Sequence, residues 1–369
     1  MGNQLSRVFS SSLLLAWAIN LSQAAPGDTG KMLDKTFQTS KGALKYLLFV
    51  PKDYVATKRY PLVVSLRGAG NTYTGATNDN DQAHPWIEDS IQARVPHFIM
   101  VPETNEGSWG GPIGGGLSNG ILSGPATAVI EGIEDLKKQY SLDTNRFIIT
   151  GFSIGGTGTY HLIEIKHDYW AAAVPASAGP DTTKLGTISK TPIWHHQGST
   201  DGTAGKRMAL GLENRGFKVV RVVVDFTINN SAAWRTAVQT AKPEEIAFKN
   251  AKPPVTLDSL RRAIAGGANF IYTELTGGNH EAGWIGAAHD PLVPTWAFSK
   301  VRGGSSVSLA PKAAGSWAKR NGAVLSFGGL NEVEGVVYSL TGQSLVRPGV
   351  AVGPRPAQQA LILRGEPAR

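Results

Sequence analysis

The chain is 369 residues long, 41% hydrophobic and 17% charged, with 44 glycines, no cysteine and a net charge of +8. That length holds one large domain and a small one, and that balance belongs to a packed globular protein, not a disordered one. The lack of cysteine excludes disulfides, thiolate metal sites and a cysteine nucleophile, and Lys and Arg are scattered with no long basic run, which argues against a nucleic-acid-binding surface.

Residues 1–24 have the pattern of a secretory signal peptide. Arg7 supplies the positive start, "SLLLAWAINL" the short apolar core, and Ser22 to Ala24 the small residues before a cleavage point. Nothing later approaches the ~18 apolar residues of a membrane span. An exported chain without disulfides suits a secreted or periplasmic bacterial protein that rests on a proper core.

Seven strands follow in order: "ALKYLLFVP", "YPLVVSLRG", "HFIMVPE", "RFIITG", "AAAVPAS", "TPIWHHQG" and "NFIYTEL". Several are short continuous apolar runs, as expected for strands covered on both faces. Between them lie helical patterns. Ala126, Val129, Ile130 and Ile133 form one apolar stripe after Pro125, and "KRMALGLENRG" and "LDSLRRAIAGG" each stop at glycine. Strand–helix alternation predicts an α/β fold with a mostly parallel central sheet. Residues 225–255 break the alternation with polar, Pro-bearing sequence and read as an insertion, a candidate lid. From about residue 303 the segments become β-like with Gly turns, which predicts a small β-rich C-terminal module over 303–369 after a domain at 25–302.

The stretch "RFIITGFSIGGTGTY" carries the first chemical signal. A strand ends in Gly151-Phe152-Ser153-Ile154-Gly155 and a helix begins. A chain that turns this sharply needs small neighbours, and the residue at the apex stands clear of both elements, which suits a nucleophile. A serine hydroxyl needs a base, usually a histidine oriented by a carboxylate, and on such folds the order is Ser, acid, His. His280, after the strand "NFIYTEL" and beside Gly277 and Gly278, fits the base. His289 fits a surface position, and His195 and His196 precede the acid. Asp201 fits the acid, after a strand and a short turn; Asp181 is the alternative, explained as well by turn capping. An oxyanion needs amides. The N–H of Ile154 follows the nucleophile at a helix start, and Ala69, between Gly68 and Gly70, offers a second.

Segments such as "YPLVVSLRGAGNTYTGATND", "DTNRFIITGFSIGGTGTYHLIE", "TPIWHHQGSTDG" and "YTELTGGNHEAGW" resemble secreted α/β-hydrolases of carbohydrate esterase family 1 and the "predicted peptidase" type. That group includes feruloyl and acetylxylan esterases and is related to polyhydroxyalkanoate depolymerases. The resemblance spans residues 45–300. It implies an α/β-hydrolase fold, Ser153 as nucleophile, Asp201 as acid, His280 as base and the Gly68–Gly70 loop at the oxyanion. It also implies Trp109 and Trp284 at the substrate cleft. Arg67 stands where the family has His, and "HHQG" replaces its "FHG". The expectation is a secreted serine esterase acting on plant polysaccharide acyl esters or another polymeric ester, with no cofactor, no metal, no nucleic acid and no stable membrane insertion. The alternatives are a serine peptidase, a polyester depolymerase, or a non-catalytic carbohydrate- or surface-binding protein on the same scaffold.

Overall fold

The computed structural model describes residues 29–69, 83–104, 108–110, 120–225, 257–290 and 292–303. The expected signal peptide, all of the 225–255 insertion but its first residue, and all but the first residue of the C-terminal module lie outside the described residues. The chain divides into two compact units, residues 1–308 and 309–369, and every strand and helix described belongs to the first.

Nine strands form one sheet: β1 (Met32–Thr39), β2 (Gly42–Phe49), β3 (Tyr60–Leu66), β4 (Phe98–Pro102), β5 (Leu142–Phe152), β6 (Ala172–Ala176), β7 (Ile193–Gly198), β8 (Val219–Asp225) and β9 (Phe270–Thr276). Their order across the sheet is β1-β2-β4-β3-β5-β6-β7-β9-β8. β1 pairs antiparallel with β2, and β2 antiparallel with β4. Every other pairing, from β4–β3 through to β9–β8, is parallel. The mostly parallel sheet expected from the alternation is therefore present, and the edge strands β1 and β8 extend it beyond the runs legible in the sequence. β1 alternates between half-buried and exposed positions, and only Leu33 and Phe37 pack on the core. β8 is the opposite edge, a Val-rich run just before the proposed insertion.

The helices are α1 (His84–Ile87), α2 (Asp89–Arg94), α3 (Gly124–Gln139), α4 (Ile154–Ile165), α5 (Leu185–Ile188), α6 (Ala204–Glu213), α7 (Leu257–Ala265), α8 (His280–His289) and α9 (Leu292–Phe298). Of the stripe foreseen on α3, Ala126, Val129 and Ile133 are buried and Ile130 is half-buried against the same core. The start of α3 is capped by Ser123, whose hydroxyl accepts from the Ala126 amide, and Pro125 sits in the first turn where no amide is needed. All seven residues of β3 are buried, because helices cover both sheet faces. Leu62, Val64 and Leu66 belong to one core cluster with Val129, Ile133 and Leu136 of α3. Elsewhere, Trp296 of α9 meets Trp194 of β7 edge to face, with centroids 5.6 Å apart.

Lys300, only 1% exposed, closes the described body. Its ammonium donates to the carbonyls of Gly267 (3.2 Å) and Ala268 (2.7 Å) and to Asn269 Oδ1 (3.1 Å), in the turn just past α7. Two residues on, the Arg302 amide bonds the Asn145 carbonyl at 2.9 Å. No helix among the described residues is long and apolar enough to cross a membrane.

Candidate active site

The parallel strands β3 to β7 and β9 all point the same way, so the loops after them gather at one edge, where open α/β sheets hold their sites. β5 is the middle strand, and Ser153 stands at its end with φ 57° and ψ −119°, one of two described non-glycine residues at positive φ. A side-chain-bearing residue held there costs on the order of 1–3 kcal/mol, a strain that clusters at functional sites. The surroundings hold it in place. The Ser153 amide donates to the Ala176 carbonyl at the end of β6 (3.0 Å), and a Cβ on Gly155 would overlap the Leu66 carbonyl at the end of β3. This close approach explains the glycine two residues after the serine. It also sets the loop through Gly68 and Ala69 against the first turn of α4, where Ile154 sits.

The loops after β7 and β9 are joined directly. Thr200 donates to the Gly278 carbonyl through both its amide (3.0 Å) and its hydroxyl (2.8 Å), and the Ser199 hydroxyl accepts from the Gly277 amide at 2.8 Å. A side chain at Gly198 would overlap the Asn279 carbonyl. The contact brings together two residues 79 positions apart in the chain: His280 Nδ1 donates to Asp201 Oδ1 at 2.7 Å. The other ring nitrogen, Nε2, accepts from the Ser153 hydroxyl at 2.9 Å. The hydrogen bond His280 donates to Asp201 is the largest influence on the His280 pKa and raises it above the ordinary histidine value; partial burial opposes it.

Three supporting residues were not singled out in the sequence. Asn279 caps α8, accepting from the Ala282 amide. Ser177, at φ 48°, donates its hydroxyl to the His280 carbonyl at 2.5 Å. Gln197 donates Nε2 to Asp201 Oδ2 at 2.7 Å and to the Asp201 carbonyl at 3.0 Å. Only Gln197 left a readable trace, two residues from His195 on one strand and so on the same sheet face.

The remaining candidates fall in several places. Ala69 is exposed and Ile154 is buried. Trp284 of α8 is half-buried with its ring 6.1 Å from Phe152, which in turn lies 4.9 Å from the His280 ring. Trp109 is fully buried and donates its indole N–H to the Arg67 carbonyl at 2.8 Å, so it underlies the loop after β3 and does not face solvent. His195 and His196 are both fully buried in β7. Asp181 caps a single 3₁₀ turn by accepting from the Thr183 amide, the turn-capping role weighed for it. His289 ends α8, nine residues from His280.

A mostly parallel sheet flanked by helices, with a serine on the sharp turn after its middle strand and an aspartate and a histidine just past later strands, is an α/β-hydrolase fold. Among solved structures the chain resembles a thermostable esterase, at 25% identity and a TM-score of 0.50, covering 74% of this chain and 64% of that one. Among characterised proteins it is similar to poly(3-hydroxyalkanoate) depolymerase C of Paucimonas lemoignei, 26% identical over 185 residues, 48% of this chain and 42% of that one. It is also similar to the bifunctional acetylxylan esterase/xylanase XynS20E of Neocallimastix patriciarum, 37% identical over 70 residues, 19% of this chain and 10% of that one. The chain thus spans less than half the length of either relative. No protein-family model matches it.

Proposed function

We propose that this chain is an exported serine esterase that hydrolyses carboxylic esters, with acyl groups on plant polysaccharide as its substrate class. The observation that carries the reading is the unbroken row Ser153–His280–Asp201, bonded at 2.9 Å and 2.7 Å on the strained turn. Ser153 Oγ attacks the ester carbonyl as its proton passes to His280 Nε2. Asp201 keeps the proton on Nδ1, so that Nε2 is free to accept, and stabilises the imidazolium that forms. The carbonyl oxygen gathers negative charge, which the amides of Ile154 and Ala69 offset. His280 then returns the proton to the departing alcohol. Water, activated by the same nitrogen, releases the acid from Ser153. Phe152 and Trp284 form an aromatic wall beside the serine. Residues 1–24 direct export.

Similarity to a depolymerase over 48% of the chain favours a second reading within the same chemistry, hydrolysis of a microbial polyester. Two measurements test both. A small fluorophosphonate should label Ser153 and no other serine, as read by peptide mass spectrometry. Rates on p-nitrophenyl acetate, methyl ferulate, acetylated xylan and polyhydroxybutyrate then choose the substrate class. No labelling and no turnover on any of the four would leave a binding protein in place of an enzyme.

A further inference from the structure

The hydrogen bonds do not stop at Asp201. Behind it, Gln197 Oε1 lies 2.9 Å from His195 Nε2, and His195 Nδ1 lies 2.8 Å from the Tyr160 hydroxyl. Tyr160, His195 and Gln197 are each no more than 2% exposed. The rings of Tyr160 and Tyr272 each stack near the His195 ring, with centroids 5.9 Å away in each case. The proton positions follow from the chemistry of the partners. Asp201 offers Gln197 only a carboxylate and a carbonyl, so the Gln197 amide nitrogen must face it and the amide oxygen must face His195. That oxygen only accepts, so His195 carries its proton on Nε2. Burial pushes the His195 pKa down to about 4, so the ring is neutral and Nδ1 is bare. Tyr160 therefore donates.

We infer that Gln197, oriented by His195 and Tyr160, is a positioning residue that locks the Asp201 carboxylate so that Oδ1 faces His280. Every bond in the row donates toward Asp201: from His280 on the solvent side, and from Tyr160 through His195 and Gln197 on the buried side. The row also closes on itself. Tyr160 belongs to α4, the helix that Ser153 begins, so the position of the acid is referred back to the element that carries the hydroxyl. The role assigned to Gln197 rests on the esterase reading only for its effect on turnover, not for the geometry.

The test reads His280 directly. In Gln197→Met, of similar length but with no donor, the His280 Nδ1–H proton resonance should move upfield and exchange faster with water. The imidazole titration midpoint, followed by ¹⁵N NMR, should fall toward the ordinary histidine value. kcat on p-nitrophenyl acetate should fall by about 100-fold with KM nearly unchanged, the scale of loss expected when a group in the reacting row is misplaced by about 1 Å. Tyr160→Phe should move all three readouts in the same direction by a smaller factor, and it removes a single oxygen if Gln197→Met does not fold. Gly205→Ala should do likewise without altering any polar group, because its Cβ would lie 2.6 Å from His195 Nε2. An unmoved His280 resonance and midpoint in these variants would overturn the inference. A wild-type protein that shows the NMR behaviour but cleaves no ester would overturn the esterase reading and leave the positioning role standing.

Discussion

Two histidines in one hydrogen-bonded row have opposite acid–base behaviour. His280 is about half-exposed at the mouth of the site, and its pKa is raised by the carboxylate it bonds. His195 is fully buried, bonded only to neutral groups, and its pKa is pushed down to about 4 by desolvation. One ring is able to gain and lose a proton during a reaction, and the other is held in a single neutral tautomer. The difference comes from burial and from the charge of the nearest partner, not from the residue type.

The largest expected effect breaks the solvent side of the row. Ser153→Ala or His280→Ala should each lower kcat by about 10⁶, and Asp201→Ala by about 10⁴, because such a unit fails together. Stopped turnover with intact circular dichroism would check this; a His289→Ala variant that alone lost activity would move the base elsewhere. Next in size is the joint between the two loops. Gly198→Ala should lower kcat about 100-fold, since its methyl group would push Asn279, and His280 after it, away from Asp201.

A third prediction contrasts the two histidines by pH. Only neutral His280 accepts a proton, so kcat/KM should fall as pH drops through a midpoint above about 6.5, and Asp201→Asn should lower that midpoint. Stability should respond in a different window. His195 and the likewise buried His97 both have folded pKa values lowered to about 4. Below the unfolded value of about 6.5 the unfolded chain binds protons that these sites refuse. Melting temperature should therefore fall between about pH 6.5 and 4, after activity has already gone; coincident transitions would contradict the contrast. The smallest effect is on Ser153 itself. Ser153→Gly should melt higher than Ser153→Ala, by about 1 kcal/mol, because glycine relieves the positive φ and alanine keeps it.

The sheet was legible because several of its inner strands carry short continuous apolar runs, and the candidate site because each of its three polar side chains lies just past a strand, beside glycines. β1 was not legible, because a strand with one face on the core needs only Leu33 and Phe37 and otherwise resembles a polar linker. Gln197 escaped because its spacing from His195 shows only a shared sheet face, whereas its bond to Asp201 spans the end of β7 and is not announced by spacing. The family resemblance implies Trp109 at the substrate cleft, yet its indole is spent on the Arg67 carbonyl beneath the loop. Local sequence shows where the chain turns, but not how deeply a turn is roofed over.

The clasp at Lys300 has a consequence for modularity. It ties residue 300 to the turn after α7, and Arg302 ties the next residues to Asn145, so the described body secures its own end by residue 302. A cut after Gly303 removes none of these bonds, whereas a cut before Lys300 removes all three bonds of the ammonium to the turn. A chain cut after Gly303 is therefore expected to keep these bonds and to fold, as circular dichroism would check, which makes Gly303 the point at which to test a different appendage.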